Sequence, residues 1–447
     1  MTTKIESNMS EASNLTYTAQ PGGRLTGVLR VPGDKSISHR SVMFASLAEG
    51  VSEVSGFLTG EDCLCTMKAF QQMGVVIERL ADTHLRVKGV GLHGLQAPAA
   101  ALDMGNSGTA MRLMCGLLAG QPFSSTLIGD VSLSKRPMKR VIGPLAQMGA
   151  EIASQEGRAP LNIAPAKGGL QAVRYASPVA SAQVKSCVLL AGLYADGLTE
   201  VTEPEASRDH TERMLRAFGA AVEAREGYAA VRGGQSLKAT HIAVPADISS
   251  AAFFLVGAAI APGSDVTLTE VGMNPTRVGI VTILKAMGAS IEISNERLLG
   301  DEPVADLRVR GGALKGIAIG KELVAAAIDE FPILFIAAAC ASGQTVVTGA
   351  EELRVKESDR IQTMVDGLTA LGVNAVATPD GARITGGPIG GGTVDSHGDH
   401  RVAMSFAMAA LRASAPISIL DCLNVNTSFP GFAELARNAG LRLSVQD

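Results

Sequence analysis

The sequence has no excess of basic residues. Its 447 residues include 39 Lys and Arg against 43 Asp and Glu, so the overall charge does not favour nucleic acid or an acidic membrane surface as a partner. An anion-binding site in this chain must therefore be local. The length and a hydrophobic content of 46% predict a globular protein of two domains or more.

Long apolar runs are also lacking. The longest, residues 251–261 and 331–341, are too short to span a bilayer and predict buried helices. The N-terminal residues are mostly polar and lack the apolar core of a signal peptide. We therefore expect a cytoplasmic protein with no membrane partner.

Cysteine spacing typical of a zinc site is absent. The six cysteines mostly lie within apolar patterns, which predicts reduced core residues. His397, Asp399 and His400 resemble part of a metal cluster, but two of them are crowded together and no distant third ligand accompanies them. We expect neither a metal nor another cofactor.

A nucleotide-binding P-loop is missing as well. Asp34 separates Gly33 from Lys35, and Val28 stands where the first glycine of that motif is required. The segment nevertheless predicts a helix from about residue 36 to 48, capped by Asp34 or Ser36, with cations and hydroxyls at its start. Such a helix start favours a phosphate or carboxylate ligand; a solvated first turn is the alternative.

A sequence pattern in which the end of a predicted helix is followed by a glycine and then by a predicted strand recurs six times. The glycines fall roughly 70 to 85 residues apart, and each fits the left-handed cap that ends a helix. The pattern predicts six βαβαββ-like units with helices near residues 36–48, 61–73, 108–119, 138–148, 181–194, 208–218, 247–260, 277–287, 328–340, 358–371, 399–412 and 430–439. Three units in each half predict an α/β protein of two similar domains, each with its three units in a pseudo-threefold arrangement. The halves meet near residues 238–247.

Polar clusters recur at the starts of these predicted helices. They are residues 105–109, 134–138, 181–183, 207–210, 329–330, 356–360 and 397–401. Each alone is explained by an ordinary turn or cap, but their equivalent places in both halves predict one interdomain cleft lined by helix N-termini. Its cations would be Lys35, Arg40, Arg136, Arg208, Lys356, Arg360 and Arg401, which would repel one another without a ligand. We expect two polyanionic small molecules, no nucleic acid, and closure of the cleft on binding.

Three further expectations concern individual clusters. Asp329 and Glu330 precede a very apolar helix, which indicates a carboxylate tuned as a base. Lys356 and Arg360 would share a helix face if one helix includes both. Ser181 and Ser207 stand at the beginnings of two predicted helices, and both are good candidates for helix caps.

Six segments resemble signatures of the 5-enolpyruvylshikimate-3-phosphate synthase family, and the likeness covers nearly the whole chain. The segments are residues 32–40, 105–112, 136–138, 329–332, 356–361 and 397–404. The resemblance implies two globular domains, each with three copies of one folding unit, and an active site in the cleft between them. We expect one domain to comprise residues 34–245 and the other residues 1–33 with 246–447.

The resemblance also implies the reaction, in which an enolpyruvyl group passes from phosphoenolpyruvate to the 5-hydroxyl of shikimate 3-phosphate and phosphate is released. Asp329 would be the hydroxyl partner, Glu357 the acid and later the base at the methylene carbon, and Lys35 the electrostatic and proton-shuttling group. Shikimate 3-phosphate would be held by Lys35, Ser36, Arg40, Ser181, Ala182, Gln183, Arg208, Asp329 and Lys356. Phosphoenolpyruvate would be held by Lys35, Gly108, Arg136, Gln183, Arg360 and Arg401. We expect a monomer in which glyphosate competes with phosphoenolpyruvate near Gly108.

The chain departs from the family pattern at two places. Residues 426–430 contain no lysine where many members carry one, which puts one phosphoenolpyruvate contact in doubt. Residues 134–138 and 207–210 resemble the second class of the family, although Gly108 is glycine where glyphosate-tolerant members of that class can carry alanine.

Two alternatives stay open. One is an enolpyruvyl transferase acting on a UDP-sugar, which normally has a reactive loop cysteine and a Lys-Asn pair where this chain has Lys35 and Ser36. The other is a non-catalytic binder of phosphorylated metabolites.

Overall fold

The computed structural model describes residues 15–446. Two short N-terminal strands, β1 (Thr16–Ala19) and β2 (Thr26–Leu29), precede the first helix. Between residues 35 and 243 follow α1 (Lys35–Leu47), β3 (Ala48–Ser55), α2 (Glu61–Gln72), β4 (Val76–Ala81), β5 (His84–Val90), β6 (Leu102–Asp103), α3 (Gly108–Ala119), β7 (Ser125–Ile128), α4 (Val131–Lys135), α5 (Lys139–Gln147), β8 (Glu151–Gln155), β9 (Arg158–Ala164), β10 (Arg174–Ala176), α6 (Ala182–Gly192), β11 (Leu198–Thr202), α7 (His210–Ala217), β12 (Val222–Arg225), β13 (Tyr228–Arg232), β14 (Leu237–Lys238) and β15 (His241–Ala243).

The remaining elements repeat the same alternation. They are α8 (Ile248–Ile260), β16 (Asp265–Gly272), α9 (Gly279–Ala286), β17 (Ser290–Leu299), β18 (Glu302–Arg310), β19 (Ala318–Ile319), α10 (Lys321–Ala327), α11 (Phe331–Cys340), β20 (Gln344–Val347), α12 (Arg360–Ala370), β21 (Asn374–Thr378), β22 (Gly381–Thr385), β23 (Gly392–Asp395), α13 (His400–Ala409), β24 (Ile417–Leu420), α14 (Val425–Ser428), α15 (Phe432–Ala439) and β25 (Leu443–Gln446). Short 3-10 helices cover Glu351–Val355 and Ala410–Arg412. All twelve predicted helices are confirmed, whereas the short helices α4, α10 and α14 escaped the sequence pattern.

The strands form six small sheets of one design. In the sheet ordered β6-β7-β9-β8, the first strand runs parallel to the second and the others pair antiparallel. The other five sheets repeat this arrangement, with β15 as a fifth strand beside β3 in one of them, and each unit contains two main helices. The predicted α/β fold of two similar domains, each built from three βαβαββ units, is therefore confirmed.

Distant segments complete two units of one half and one unit of the other. Strand β2 pairs with β16, and β1 lies between β24 and β25, so the N-terminal strands belong to sheets of the second half. Strands β14 and β15 return to pair with β3. We call the units built on α1 to α7 the first lobe, and those built on β1, β2 and α8 to α15 the second lobe.

The chain passes between the lobes twice, at adjacent places. The Asp34 amide donates to the Pro245 carbonyl (2.8 Å), and the Asp247 amide donates to the Pro32 carbonyl (2.9 Å). A Cβ on Gly33 would lie 1.9 Å from the Gly56 carbonyl oxygen, so only glycine permits this close approach. We propose these crossings as the domain boundary, between residues 33 and 34 and between 245 and 246.

Each lobe has its own apolar core around three inner helices. One core contains residues from Ile37 to Val244, and the other contains residues from Tyr17 to Val31 and from Ala246 to Leu443. The inner helices are α1, α3 and α6 in the first lobe and α8, α11 and α13 in the second, each buried along most of its length. All six cysteines are free thiols, and four are buried.

Among residues 15–446, no single helix is long and apolar enough to cross a membrane. The pair α10 and α11 meets the length and composition criteria together, but with a bend of 119° between its two helices. Helix α11 belongs to the core of the second lobe, where Phe331 and Phe335 are 1% exposed.

Candidate active site

Five of the six inner helices begin with a side chain that caps the helix at the face between the lobes. The caps are Asp34, Ser107, Ser181, Asp247 and Asp399, each of which accepts a hydrogen bond from a backbone amide of the first turn. The predicted cap at Asp34 is confirmed. Ser207 instead donates its hydroxyl to Glu203, so the prediction that it caps a helix is wrong. The N-terminal ends of helix dipoles from both lobes therefore converge and favour anions there.

Asp329 lies at the centre of the predicted cations. Its Oδ2 is 2.6 Å from Arg208 Nη2, and its Oδ1 is 3.6 Å from both Lys356 Nζ and Arg360 Nη1. Arg401 donates to its carbonyl oxygen at 3.1 Å. Arg208 comes from the first lobe and the other three cations from the second, so this carboxylate joins the lobes.

Glu357 makes a second contact across the lobes. Its Oε2 is 2.6 Å from Arg360 Nη2, and its Oε1 is 3.3 Å from Arg136 Nη1 of the first lobe. Arg360 is 2% exposed and also donates its Nε to Asp399 at 2.8 Å. The sequence predicted cations that repel one another, and in this arrangement the carboxylates of Asp329, Glu357 and Asp399 offset part of that repulsion.

The proposed common helix face of Lys356 and Arg360 is wrong. Lys356 ends the 3-10 helix and Arg360 begins α12, with Asp359 capping between them. The two cations nevertheless meet, because both face Asp329.

The two carboxyl groups with proposed chemical roles are both ionised. Burial raises the pKa of Asp329, but Arg208 and Lys356 outweigh it and hold that pKa well below its usual range. Burial likewise raises the pKa of Glu357, and Arg360 and Arg136 lower it well below its usual range. The sequence indicated a tuned base without a direction, and in this state the pKa of Asp329 is shifted downwards.

Glu330, which follows Asp329 in the chain, does not face the cations of the cleft. It is 1% exposed and accepts a hydrogen bond from the Ser249 hydroxyl. Arg277 lies 4.0 Å from it and also binds Asp34 (3.1 Å) and Asp247 (3.3 Å). The buried cluster of Arg277 with Asp34, Asp247 and Glu330 therefore connects the two crossings between the lobes.

Lys35 is paired with a carboxylate that the sequence did not single out. Its Nζ is 3.0 Å from Asp62 Oδ2 at the start of α2. Burial disfavours the ammonium ion, but Asp62 outweighs it and the pKa of Lys35 is raised above its usual value. Lys35 is therefore a fixed cation at the N-terminus of α1.

The glycine-rich segment before α3 carries a further group of polar contacts. Arg136 Nη2 donates to Asn106 Oδ1 (2.8 Å), and Arg112 Nη1 donates to Gln183 Oε1 (2.6 Å). Gln183 Nε2 donates to Thr109 Oγ1 at 2.9 Å. A Cβ on Gly108 would lie 2.9 Å from Arg112 Nη1 and 3.2 Å from Arg136 Nη1. Two arginines, an amide and a glycine therefore share one small space.

The residues proposed for shikimate 3-phosphate come from both lobes: those of the first lobe lie in α1, at the start of α6 and before α7, whereas Asp329 and Lys356 belong to the second lobe. Ser181 and Ala182 stand at the beginning of α6. Arg40 is buried, and its three nitrogens donate to Thr211, Ser186 and the Ser36 carbonyl at 2.7 to 2.9 Å. Arg40 thus links α1 to α6 and α7.

The segment without the expected lysine forms α14. It packs against the start of α2 in the other lobe, where a Cβ on Gly60 would lie 2.5 Å from the Thr427 carbonyl oxygen. This segment therefore provides a backbone contact between the lobes.

Sequence reasoning missed several residues of this site. They are Asp62, Asn106, Thr109, Arg112 and Glu203. Asn106, Thr109 and Arg112 lie within residues 105–112, one of the segments that resemble the family. Their place in that segment is the sequence signal that could have identified them. Among residues 15–446 no group of three or more His, Cys, Asp or Glu side chains has the arrangement of a metal site.

Comparison with known proteins gives consistent matches over nearly the whole chain. A family model described as EPSP synthase (3-phosphoshikimate 1-carboxyvinyltransferase) matches residues 19–435. The chain is 64% identical to a 3-phosphoshikimate 1-carboxyvinyltransferase of Methylococcus capsulatus, covering 97% of this chain and 99% of that protein. The corresponding protein of Alkalilimnicola ehrlichii is 62% identical, with 96% and 97% covered.

Solved structures agree with these matches. The EPSP synthase from Acinetobacter baumannii superposes with a TM-score of 0.87 at 54% identity, covering 97% of this chain and 100% of that one. The enolpyruvyl transferase NikO from Streptomyces tendae superposes with a TM-score of 0.80 at 16% identity, covering 97% and 99%. This second likeness supports the fold alone.

Proposed function

The chain belongs to the EPSP synthase family, and on that premise we propose how its residues perform the family's reaction. The enzyme is a 3-phosphoshikimate 1-carboxyvinyltransferase of the shikimate pathway, which transfers the enolpyruvyl group of phosphoenolpyruvate to the 5-hydroxyl of shikimate 3-phosphate and releases phosphate. The assignment of individual residues to substrates and proton transfers is our proposal. The main support for this proposal is that Asp329 and Glu357 each form an ion pair with an arginine of the opposite lobe.

We place shikimate 3-phosphate at the starts of α1 and α6. Lys35, Ser36, Arg40, Ser181, Ala182, Gln183, Arg208, Asp329 and Lys356 would hold it. Support comes from the helix N-termini at Lys35 and Ala182, which offer backbone amides to a phosphate. Arg208 and Lys356 approach from opposite lobes, so the ligand would join them as Asp329 does in its absence.

We place phosphoenolpyruvate beside Gly108. Lys35, Gly108, Arg136, Gln183, Arg360 and Arg401 would hold it. Arg136 and Arg360 both contact Glu357, so a phosphate or carboxylate bound to these arginines lies next to the proposed acid. Glyphosate would compete for the same cations.

The proposed chemistry has two stages. In the addition, the 5-hydroxyl donates to Asp329 and attacks the substituted carbon of the enol, while Glu357 protonates the methylene carbon. In the elimination, the Glu357 carboxylate removes a proton from the resulting methyl group, and the C–O bond to phosphate breaks. Lys35 stabilises the negative charge and passes to the departing phosphate the proton that Asp329 took from the 5-hydroxyl, so both side chains return to their starting states.

The ionised state of Glu357 sets a condition on this scheme. Arg360 and Arg136 hold its pKa down when they face only Glu357 and neighbouring protein groups. Anionic substrate oxygens placed against these arginines compete with the carboxylate, and its pKa then rises. Substrate binding would thus prepare the acid.

We further propose a monomeric, cytoplasmic enzyme of the second class. All proposed site residues come from one chain, which supports the monomer. The free thiols fit a reducing compartment. Residues 134–138 and 207–210 support the class.

The direct test is phosphate release from purified protein given both substrates, with each substrate alone as a control. We expect release only with both, suppressed by glyphosate in competition with phosphoenolpyruvate. Release from phosphoenolpyruvate alone would contradict transfer to shikimate 3-phosphate. Inhibition by glyphosate that does not compete with phosphoenolpyruvate would contradict the placement beside Gly108.

A further inference from the structure

Three charged residues of the first lobe lie buried behind the cleft and have no place in the scheme above. Lys185 Nζ is 3.1 Å from Glu203 Oε2 and 2.9 Å from Glu212 Oε1, and the three side chains are 6%, 1% and 2% exposed. The same ammonium donates to the Ser207 carbonyl at 3.3 Å. All three of its protons therefore have an acceptor.

The two glutamates differ in what else they bind. Glu203 accepts a hydrogen bond from the Ser181 amide (2.8 Å) and from the Ser207 hydroxyl (2.9 and 2.7 Å to its two oxygens). Glu212 binds Lys185 through Oε1, and its Oε2 has no hydrogen-bond partner among the described atoms. Of the two glutamates, only Glu203 thus contacts the segments of Ser181 and Ser207.

Those two segments reach the cleft from different elements. Ser181 caps α6 and immediately precedes Ala182 and Gln183, while Ser207 immediately precedes Arg208 in the connection from β11 to α7. The Glu203 carboxylate therefore bridges a helix N-terminus and the segment of an arginine, and the contact of Lys185 with the Ser207 carbonyl supports the same spacing.

We propose that Glu203 is a positioning residue for shikimate 3-phosphate, which holds the segments of Ser181 and Arg208 at the spacing that the ligand requires. This inference rests on the proposed function, because it assumes that both segments bind that substrate. Glu203 does not itself touch the substrate. Its effect is on affinity for shikimate 3-phosphate and much less on affinity for phosphoenolpyruvate.

The structure supplies a matched pair of variants. In E203Q an amide group replaces one of two oxygens that both accept hydrogen bonds, so at least one of the Ser181, Ser207 and Lys185 donors loses its acceptor. In E212Q the amide oxygen keeps the Lys185 contact and the amide nitrogen takes the place of the unpartnered Oε2. Both variants remove one buried negative charge beside the same lysine.

The experiment measures steady-state phosphate release with each substrate varied in turn at saturation of the other. We expect E203Q to raise KM for shikimate 3-phosphate about tenfold, since small misplacements of binding groups are costly, and to change KM for phosphoenolpyruvate by less than about twofold. E212Q should leave both KM values near those of the wild type. Equal effects of the two variants, or an equal rise in both KM values in E203Q, would assign Glu203 a structural role only.

A gentler variant covers the case in which E203Q does not fold. S207A removes one hydrogen bond to Glu203 and no charge, and we expect a rise of about threefold in KM for shikimate 3-phosphate. In E203Q/S207A the two effects should be less than additive, because both act through one contact. An unchanged KM in S207A would overturn the proposal. A wild-type protein that released no phosphate would instead refute the function on which it rests.

Discussion

Replacing Glu357 with glutamine tests the proton-transfer scheme most directly. Glu357 is 19% exposed, and its two oxygens contact Arg360 at 2.6 Å and Arg136 at 3.3 Å. Glutamine has nearly the same shape and keeps one acceptor oxygen, but it neither carries the charge nor exchanges a proton with carbon. We therefore expect a folded variant that binds both substrates and turns over slowly.

The contacts allow the size of the effect to be worked out. General acid–base catalysis contributes about 10²- to 10⁴-fold, which corresponds to about 3 to 5 kcal/mol in the barrier for turnover. Binding should move in the opposite direction. An ion pair at 3.3 Å is worth about 5 kcal/mol at an effective dielectric of 20 before desolvation, and E357Q releases Arg136 and Arg360 from it. We thus expect kcat to fall and KM for phosphoenolpyruvate to stay the same or fall.

The assay is steady-state phosphate release, with shikimate 3-phosphate binding measured separately by calorimetry. Glu352 provides the control, because it also joins the lobes by contacting Arg140 at 2.9 Å but is 45% exposed and has no proposed chemical role. E352Q should keep kcat within about twofold of the wild type, since exposed ion pairs contribute little. Full turnover by E357Q with normal substrate binding would refute the role of Glu357.

Two other substitutions test the glycine beside the arginines and the buried arginine at the crossings. G108A would place a methyl group 2.9 Å from Arg112 Nη1 and 3.2 Å from Arg136 Nη1, and this methyl group would push the two guanidinium groups aside. We therefore expect a higher inhibition constant for glyphosate against phosphoenolpyruvate. The KM for shikimate 3-phosphate should be unchanged. G143A is its control, because nothing lies within 4 Å of the new methyl group, and equal inhibition constants in the two variants would count against the placement. R277A leaves the buried Asp34 and Asp247 without their cation, so we expect a loss of about 3 to 5 kcal/mol in the free energy of unfolding by urea. R308A breaks the exposed pair with Asp265 and should cost far less; a larger loss in R308A than in R277A would contradict the reasoning.

The repeated architecture could be predicted because each unit carries its own local signals. The long helices show an apolar face or, as in α8 and α11, an apolar run, and the six glycines at the turn after a helix all adopt positive φ, from 83° at Gly372 to 118° at Gly440. The short helices α4, α10 and α14 have four to seven residues, too few for a period to show. The return of β14 and β15 to β3 left no local trace either, since pairing between segments nearly 190 residues apart depends on the assembled lobe.

The cations of the site could be predicted, but their partners could not. Lysines and arginines at helix starts stand out in a sequence, whereas a carboxylate that neutralises them is one of 43 Asp and Glu residues. Asp62 meets Lys35 through helix packing, and Asp399 meets Arg360 between two helices of the second lobe. The fold thus offsets part of the expected repulsion among the cations, because it supplies carboxylates from positions that the motifs do not mark as partners.

The pairing of Glu357 with two arginines predicts that ligand binding changes the protonation of this carboxyl group. In the free protein Glu357 is ionised, because Arg360 and Arg136 hold its pKa well below its usual range despite burial. Anions bound to these arginines weaken that hold and raise the pKa of Glu357, so formation of the complex with shikimate 3-phosphate and glyphosate should take up protons near neutral pH. Calorimetry in two buffers of different ionisation enthalpy measures this proton uptake. The same titration is repeated with E357Q, and the difference between the two proteins gives the number of protons taken up by Glu357. We expect a smaller uptake in E357Q, with the difference growing as pH falls from 8 to 6, because a raised pKa adds protons at the acidic end of that range. Equal uptake in the two proteins would show that Glu357 stays ionised in the complex, and the acid for the methylene carbon would then have to be another group.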